Sequence, residues 1–146
     1  MCFSTVIGNN VIIVNGVLLG GHVTIGNHAI IGGLSAIHQF IQVGDHAMIS
    51  GGSLLRKDVP PYTKAAKEPL SYVGINSVGL RRRGFTSEKI REIQNIYRIL
   101  YQKNYNTTQA IGIIEAEMEA TPERDEILMF IRNSSRGIMK GYTGSY

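Results

Sequence analysis

Four histidines within a stretch of 25 residues are the side chains of this sequence best suited to chemistry. They are His22, His28, His38 and His46. Residues 1–55 contain no lysine or arginine and only one acidic residue, Asp45, so these imidazoles belong to a segment that is almost without charge. Histidine titrates near neutral pH, which suits a general base, a metal ligand or a neutral hydrogen-bonding group in an interface. These three roles remain open until the backbone that positions the imidazoles is defined.

A six-residue period runs without a break from Ile7 to Pro60 and determines how the histidines are placed. Each hexad carries a bulky aliphatic residue and, four positions later, a smaller or β-branched one. The aliphatic residues are Ile7, Ile13, Leu19, Ile25, Ile31, Ile37, Val43, Ile49 and Leu55. A hexapeptide period is typical of a parallel β-helix, in which each hexad forms one short strand and one turn. Three hexads close a triangular coil, so the segment predicts three coils.

Residues 18 positions apart must then lie above one another, separated by one inter-strand spacing of about 4.8 Å. His28 and His46 share such a column. Two stacked imidazoles resemble part of a zinc site between subunits, such as the three-histidine site of γ-type carbonic anhydrases. No acidic residue or third histidine has matching geometry, so we expect neither a metal nor a cofactor.

Other columns predict a surface that is bare of side chains. Gly33 and Gly51 lie one coil apart, and Gln39 lies directly above Gly21. A strip of glycines lets a backbone or a thin ligand approach closely, although glycines also serve ordinary turns. The columns therefore predict either a groove or a series of tight turns.

Positive charge is concentrated just after the coils. Residues 56–85 hold seven lysines and arginines against two acidic residues, whereas residues 86–146 balance eight against eight. The net charge of +4 therefore reflects a local patch, which is either a solvated loop or a site for phosphates or an acidic partner. Nucleic acid is not expected, because the patch is short and lacks interleaved aromatic residues.

The pattern of the rest of the chain predicts a linker followed by a helical domain. Pro60-Pro61 ends the coil domain of residues 1–60, since proline cannot donate to a strand ladder. Residues 61–85 are predicted to be a linker that carries the basic patch. Residues 86–146 are predicted to form three short helices, which begin near Thr86, Thr107 and Thr121. No apolar run is long enough to predict a membrane span.

The faces of the predicted prism carry almost no charge, and this favours burial against other subunits. We therefore expect a symmetric homotrimer with parallel prism axes. The open ends of a solenoid need covering. We expect the helices to cover one end of the prism and the end near Met1 to be exposed.

Three motifs in order resemble one family. They are IHQF at 37–40, DVPPY at 58–62 and NSVGLRRRGF at 76–85. Together they are similar to the acyl-carrier-protein–UDP-N-acetylglucosamine O-acyltransferases, from about Val6 into the helices. The resemblance implies a left-handed β-helix trimer in the bacterial cytoplasm. It also implies transfer of a 3-hydroxyacyl chain from acyl carrier protein to the 3-hydroxyl of UDP-N-acetylglucosamine, the first step of lipid A synthesis.

The resemblance also implies roles for particular residues. Substrate contacts fall on His22, His38, Gln39, Asn76 and Arg82, with Arg82 on a phosphate. Gly33 and Gly51 match an acyl-chain groove, which a side chain at Gly51 would shorten. The implied mechanism uses a histidine to remove the hydroxyl proton, while a backbone amide, here that of Gly21, steadies the oxyanion.

Two departures from the family pattern matter. The family's general base lies in a His-Asp dipeptide, which falls by register at Phe3-Ser4, and phenylalanine cannot accept a proton. Val78 stands where many members carry a glutamate near the nucleotide. The chain also matches only about the C-terminal half of a usual member. We therefore expect an N-terminally truncated chain with little or no acyl transfer.

A non-catalytic trimeric binding or scaffold protein is the alternative from another class. Such a protein would keep the nucleotide and carrier-protein sites without the chemistry. A basic surface would suit the acidic acyl carrier protein. We expect Arg82 to serve the phosphate, and the outer Lys64 and Lys67 to serve the carrier.

Overall fold

The computed structural model describes residues 4–143, which form a triangular prism of three parallel β-coils followed by helices. Nine two-residue strands, one for each hexad, build its faces. They are β1 (Val6–Ile7), β2 (Ile12–Ile13), β3 (Leu18–Leu19), β4 (Thr24–Ile25), β5 (Ile30–Ile31), β6 (Ala36–Ile37), β7 (Gln42–Val43), β8 (Met48–Ile49) and β9 (Leu54–Leu55). The predicted left-handed parallel β-helix of three coils is confirmed.

Each face of the prism is a parallel sheet in which residues 18 positions apart are paired. The first face contains β1, β4 and β7, the second β2, β5 and β8, and the third β3, β6 and β9. Val6 pairs with Thr24, and Thr24 pairs in turn with Gln42. This register confirms the columns predicted from the hexads.

The inward aliphatic residues form a core whose burial changes from coil to coil. In the second coil, Ile25, Ile31 and Ile37 are 1%, 0% and 3% exposed. In the first coil, the equivalent Ile7 and Ile13 are 47% and 37% exposed. Full burial of such a side chain contributes about 2 kcal/mol. Within residues 4–143, the inward side chains of the first coil are therefore far less covered than those of the second, as expected for the end near Met1.

Residues 61–85 are more ordered than the predicted linker. β10 (Thr63–Ala66) pairs with β8 and extends the second face, and β11 (Ser71–Ile75) pairs antiparallel with β10. A helix, α1 (Ser77–Arg82), follows and is capped by Asn76, whose side chain accepts a hydrogen bond from the Gly79 amide. The helical part of the described chain therefore contains four helices rather than three. A six-residue helix is too short to produce a recognisable 3.6-residue period.

The three predicted helices are present, and each begins at a side-chain cap. They are α2 (Ser87–Gln102) after Thr86, α3 (Thr107–Glu117) after Asn106, and α4 (Pro122–Arg132) after Thr121. Such caps satisfy amides that have no partner within the helix. Among residues 4–143, no helix is both long and apolar enough to cross a bilayer.

The helices cover the end of the prism opposite the first coil. The buried Tyr97 of α2 donates its hydroxyl proton to the carbonyl of Pro61 at 2.5 Å. After α4 the chain returns to the last coil, where the Ser134 hydroxyl donates to the Asp58 carboxylate. The chain then forms β12 (Lys140–Gly141), which pairs with β11. These contacts attach the helical part to the upper end of the β-helix.

Candidate functional site

The candidate site residues lie at the three corners of the prism. The His22 corner comprises residues 20–23, 38–41 and 56–59, and joins the third face to the first. The His46 corner comprises residues 8–11, 26–29 and 44–47, and joins the first face to the second. The glycine corner comprises residues 14–17, 32–35 and 50–53, and joins the second face to the third.

His22, His28 and His46 occupy the same position in their hexads, and the backbone of the corner turns explains why. Each tight turn needs one residue in the left-handed region, and His22, His28 and His46 occupy it at φ 58°, 61° and 60°. Non-glycine residues adopt this conformation at some cost, and histidine and asparagine tolerate it better than most. Stacking of rings between coils helps to offset the strain. The same geometry points these imidazoles away from the core.

At the His22 corner, the predicted contact residues form an exposed surface. The His22 ring lies parallel to the Phe40 ring, with centroids 5.0 Å apart, and its Nδ1 is 3.3 Å from the Ser4 hydroxyl oxygen. His38 and Gln39 are exposed in the coil above. Phe3, where the resemblance predicts the family's general base to fall, lies outside the described residues, and Ser4 is its described neighbour.

Close backbone approach requires a glycine at position 20 of the His22 corner. A Cβ atom at Gly20 would lie 2.5 Å from the Gln39 amide nitrogen, so no side chain fits there. The carbonyl of Gly21 accepts a hydrogen bond from the Phe40 amide at 3.0 Å. These contacts hold two successive coils at a spacing that brings His22, His38 and Gln39 onto one surface.

The glycine corner contains the predicted strip without side chains. The Gly33 carbonyl accepts a hydrogen bond from the Gly52 amide at 2.8 Å, so the two coils are in register. The nearest atom to a Cβ at Gly51 would be the Gly33 carbonyl oxygen, at 3.2 Å. Gly51 is thus not required by packing to the same degree as Gly20, and its exposed backbone borders open space.

At the His46 corner, α1 is fastened to a stack of three rings. His28, His46 and Tyr62 lie parallel, with centroids 4.9 Å and 5.6 Å apart. The Asn76 side-chain amide, 3% exposed, donates to the His46 carbonyl at 3.1 Å while its oxygen caps α1. Arg83 follows α1 directly and donates from Nη2 to the His28 carbonyl at 3.3 Å.

The His46 imidazole is held neutral. Burial first, and then the Arg83 charge, lower the pKa of His46 from 6.5 to about 4. A guanidinium has only donors, so Arg83 Nη1 donates to His46 Nδ1 at 3.3 Å and the imidazole proton lies on Nε2. His46 is therefore an acceptor that positions α1 rather than a base available for catalysis.

Beside α1 lies a cleft of about 270 Å³. Asn76, Val78 and Arg82 line one side of it, and Met48 and Lys64 of the second face line the other. Arg82 and Lys64 are exposed, so the cleft presents two positive charges to an anion. Val78 contributes an apolar wall where a glutamate would have added a negative charge. Two adjacent cations suit a phosphate group.

The structure does not bring all the predicted residues together in one chain. His22, His38 and Gln39 lie at one corner, α1 with Arg82 at a second, and the glycine strip at the third. No single corner of one chain therefore carries all three groups. Within residues 4–143, no group of three histidine, cysteine or acidic side chains is arranged to hold a metal ion.

Two arginines that contact the His46 and His22 corners, Arg83 and Arg136, were not identified from the sequence. Arg82 was assigned to a phosphate and Arg83 was given no role, because the register of a six-residue helix decides which of the three arginines faces the prism. Arg136, from the segment after α4, lies with its guanidinium carbon 5.6 Å from the Phe40 ring centroid. Its distance from Phe40 in the sequence leaves no local signal for this contact.

Comparison with known proteins identifies one family whose members resemble the chain in sequence and fold. Residues 58–139 match the family model described as UDP N-acetylglucosamine O-acyltransferase, domain 2. The chain belongs to this family. An acyl-[acyl-carrier-protein]–UDP-N-acetylglucosamine O-acyltransferase of Anaeromyxobacter sp. strain K is 37% identical over 134 residues, which cover 92% of the chain and 52% of that relative. One from Burkholderia orbicola is 40% identical over 138 residues, covering 92% of the chain and 53% of that protein.

Solved structures agree with this membership of the UDP-N-acetylglucosamine O-acyltransferase family. LpxA from Acinetobacter baumannii superposes with a TM-score of 0.88 at 36% identity, covering 93% of the chain and 53% of that protein. The Arabidopsis UDP-N-acetylglucosamine acyltransferase superposes with a TM-score of 0.87 at 33% identity, covering 93% and 51%. The chain thus spans about half the length of the relatives it matches.

Proposed function

We propose that the chain binds UDP-N-acetylglucosamine as the C-terminal half of an acyltransferase of lipid A synthesis, and that it does so as a cytoplasmic homotrimer. The nucleotide's phosphates would lie on Arg82 in the cleft beside α1, with Asn76 nearby. The observation that carries the proposal is the rigid placement of α1, because Asn76 and Arg83 hold it against the His46 ring stack. A pre-positioned arginine binds an anion without first losing its own freedom.

The trimer is supported by the division of the site among corners. A sugar nucleotide at α1 of one copy can reach His22, His38 and Gln39 only on a neighbouring copy. The apolar residues on the outer faces favour such packing, since Leu18 and Leu54 of the third face are 70% and 42% exposed. Burial of such a face against a neighbour is favourable. An equilibrium sedimentation mass of three chains is the expected result, and a monomer at every concentration would contradict it.

The chemistry itself would be a direct transfer. The 3-hydroxyl oxygen attacks the thioester carbonyl, a histidine takes the hydroxyl proton, the Gly21 amide steadies the oxyanion, and the carrier thiol leaves. The family position of that base is Phe3, so we expect the chain to bind its substrates with little or no turnover. Acyl chains would lie along the Gly33–Gly51 strip.

A direct binding measurement tests the proposal. Calorimetric titration with UDP-N-acetylglucosamine should show saturable binding, and Arg82→Met should weaken it by about tenfold, the usual effect of losing a charge-assisted contact. Arg91→Met, on the exposed side of α2, is the matched control and should bind like the parent chain. Absence of nucleotide binding would exclude the proposal. Turnover at rates normal for the family would contradict the expected loss of catalysis.

A further inference from the structure

A second group of positive charges lies at the upper coil of the His22 corner, away from α1. We name Arg56, Lys57 and Arg136 the corner cations. Arg56 follows β9 as His38 follows β6, and the two residues line one shallow pocket with Gly20. Lys57 is the next residue of this turn, which is two residues shorter than the turn below because Val59 pairs with Val43. Arg136 reaches the same level from the helical part of the chain and covers Phe40. The corner cations therefore cap the surface that carries His22, His38 and Gln39.

Backbone contacts hold the Lys57 side chain and the segment that carries Arg136. Lys57 Nζ donates to the Arg136 carbonyl at 2.9 Å. The segment that carries Arg136 is held on both sides, since Ser134 donates to the Asp58 carboxylate and the Asp58 amide donates to the Gly137 carbonyl at 2.9 Å. A partner that uses these charges would meet an organised surface rather than mobile side chains, which lowers the ordering cost of binding.

Little negative charge opposes the corner cations. Arg56 approaches Glu68 at 3.8 Å, and both side chains are mostly exposed, so that pair is weak. Asp58 is 2% exposed, and its carboxylate accepts hydrogen bonds from Ser134 and from the Gln42 amide. Among residues 4–143, no carboxylate forms an ion pair with Lys57 or Arg136. The rim of the His22 corner is thus electropositive.

We propose that the corner cations dock the acidic face of the acyl carrier protein that delivers the acyl thioester to the His22 corner. The inference rests on the proposed function and adds the docking surface to it. Lys64 lines the nucleotide cleft, and the Lys67 ammonium lies 5.3 Å from the Tyr142 ring centroid, so both have other neighbours. Charges at the rim of an interface mainly accelerate encounter and set its salt dependence, which suits a carrier that must arrive and leave.

Charge reversal tests the docking surface. Lys57→Glu and Arg56→Glu change two different members, so the test does not depend on the Lys57 contact with the Arg136 carbonyl. Arg98→Glu, an exposed cation of α2, is the matched control, and Lys64→Glu probes the competing surface. Affinity for a holo acyl carrier protein is measured at about 50 mM and about 300 mM NaCl, which changes the screening length roughly twofold. UDP-N-acetylglucosamine affinity is measured in parallel.

The expected result is a loss of carrier affinity of about tenfold in both corner variants at low salt, with a smaller loss at high salt. Arg98→Glu and Lys64→Glu should keep a carrier affinity within about twofold of that of the parent chain. The two corner variants and Arg98→Glu should also keep their nucleotide affinity, whereas Lys64→Glu, which changes a residue of the nucleotide cleft, should lower it. The inference is overturned if the parent chain does not bind carrier, if only Lys64→Glu loses affinity, or if the corner variants lose nucleotide and carrier together. A parent chain that binds carrier but no nucleotide would refute the nucleotide site and leave the docking surface standing.

Discussion

The Tyr62 hydroxyl donates a hydrogen bond to the Glu126 carboxylate, and this contact joins the last turn of the β-helix to α4. The Glu126 carboxylate also hydrogen bonds to Asp45, from the turn between β7 and β8, and lies near Glu123 of its own helix. Burial first, and then these acidic neighbours, raise the pKa of Glu126 from 4.5 to about 7. At mildly acidic pH, a proton is therefore shared where the two parts of the chain meet.

This contact predicts a stability that depends on pH. A carboxyl whose pKa is raised in the folded state contributes stability that is complete below about pH 4.5 and is lost as the pH rises through about 7. Glu126→Gln keeps an acceptor for Tyr62 and supplies a permanent donor for Asp45, so it should remove this loss. We expect the urea midpoint of the parent chain to fall between about pH 5 and about pH 8 more steeply than that of the variant.

Glu119→Gln, at an exposed position between α3 and α4, removes the same charge away from this contact and serves as the control. Its pH profile should match that of the parent chain. If Glu126→Gln retains the full slope of the parent chain, the Glu126–Asp45 pair is not the source of the pH dependence.

Gly20 and Gly51 differ in the space around their Cα atoms, so an added methyl group should destabilise the fold more at Gly20 than at Gly51. A Cβ at Gly20 would lie 2.5 Å from the Gln39 backbone, whereas one at Gly51 would lie 3.2 Å from the nearest atom, the Gly33 carbonyl oxygen. Gly20→Ala should lower the free energy of unfolding by about 2 kcal/mol or more, because overpacked backbone must shift. Gly51→Ala should cost less than about 1 kcal/mol. Denaturant titration of the two variants checks this order, and an equal loss in both would refute it.

The buried Asp58 carboxylate connects the last coil to the segment after α4, so its replacement should lower the stability of the fold. Asp58→Ala leaves the Gln42 amide and the Ser134 hydroxyl without their acceptor, so we expect a loss of about 2 to 3 kcal/mol of stability. Ser134→Ala should cost about 1 kcal/mol. Ser135→Ala, the exposed neighbour, should be neutral in the same thermal unfolding experiment. A neutral Asp58→Ala would show that the returning segment is held by other contacts.

The contacts of Arg83 with His46 and His28 predict that its loss lowers nucleotide affinity by freeing α1. Arg83→Gln removes the guanidinium that joins α1 to His46 and His28, so Arg82 would no longer be held in place. We expect UDP-N-acetylglucosamine affinity to fall about tenfold, in line with hydrogen bonds to a charged group. His46→Ala should reproduce the loss because Arg83 acts through that ring. Arg81→Gln removes the same charge from the exposed side of α1 and should change affinity by less than about twofold.

The columns of the prism were predictable from sequence, whereas the contacts that attach the helices to the β-helix were not. A strict six-residue period leaves one register for the strands, so the stacking of His28 on His46 followed from arithmetic. The orientation of Arg83 depends on the few residues of α1, where no period can form. The bond from Ser134 to Asp58 spans 76 positions, and neither residue differs locally from an ordinary surface polar group.

The exposure of Ile7 and Ile13 has a consequence for how the prism holds together over time. A solenoid transmits stability only between neighbouring repeats. With the helices packed on the last coil and the first coil open, local opening should begin at β1 to β3 and advance upward. Backbone amides of the first coil should then exchange with solvent fastest, and those beside α2 slowest. Ser4, the neighbour of His22, belongs to the coil that opens first, so a molecule bound across that pair would order the loosest part of the chain.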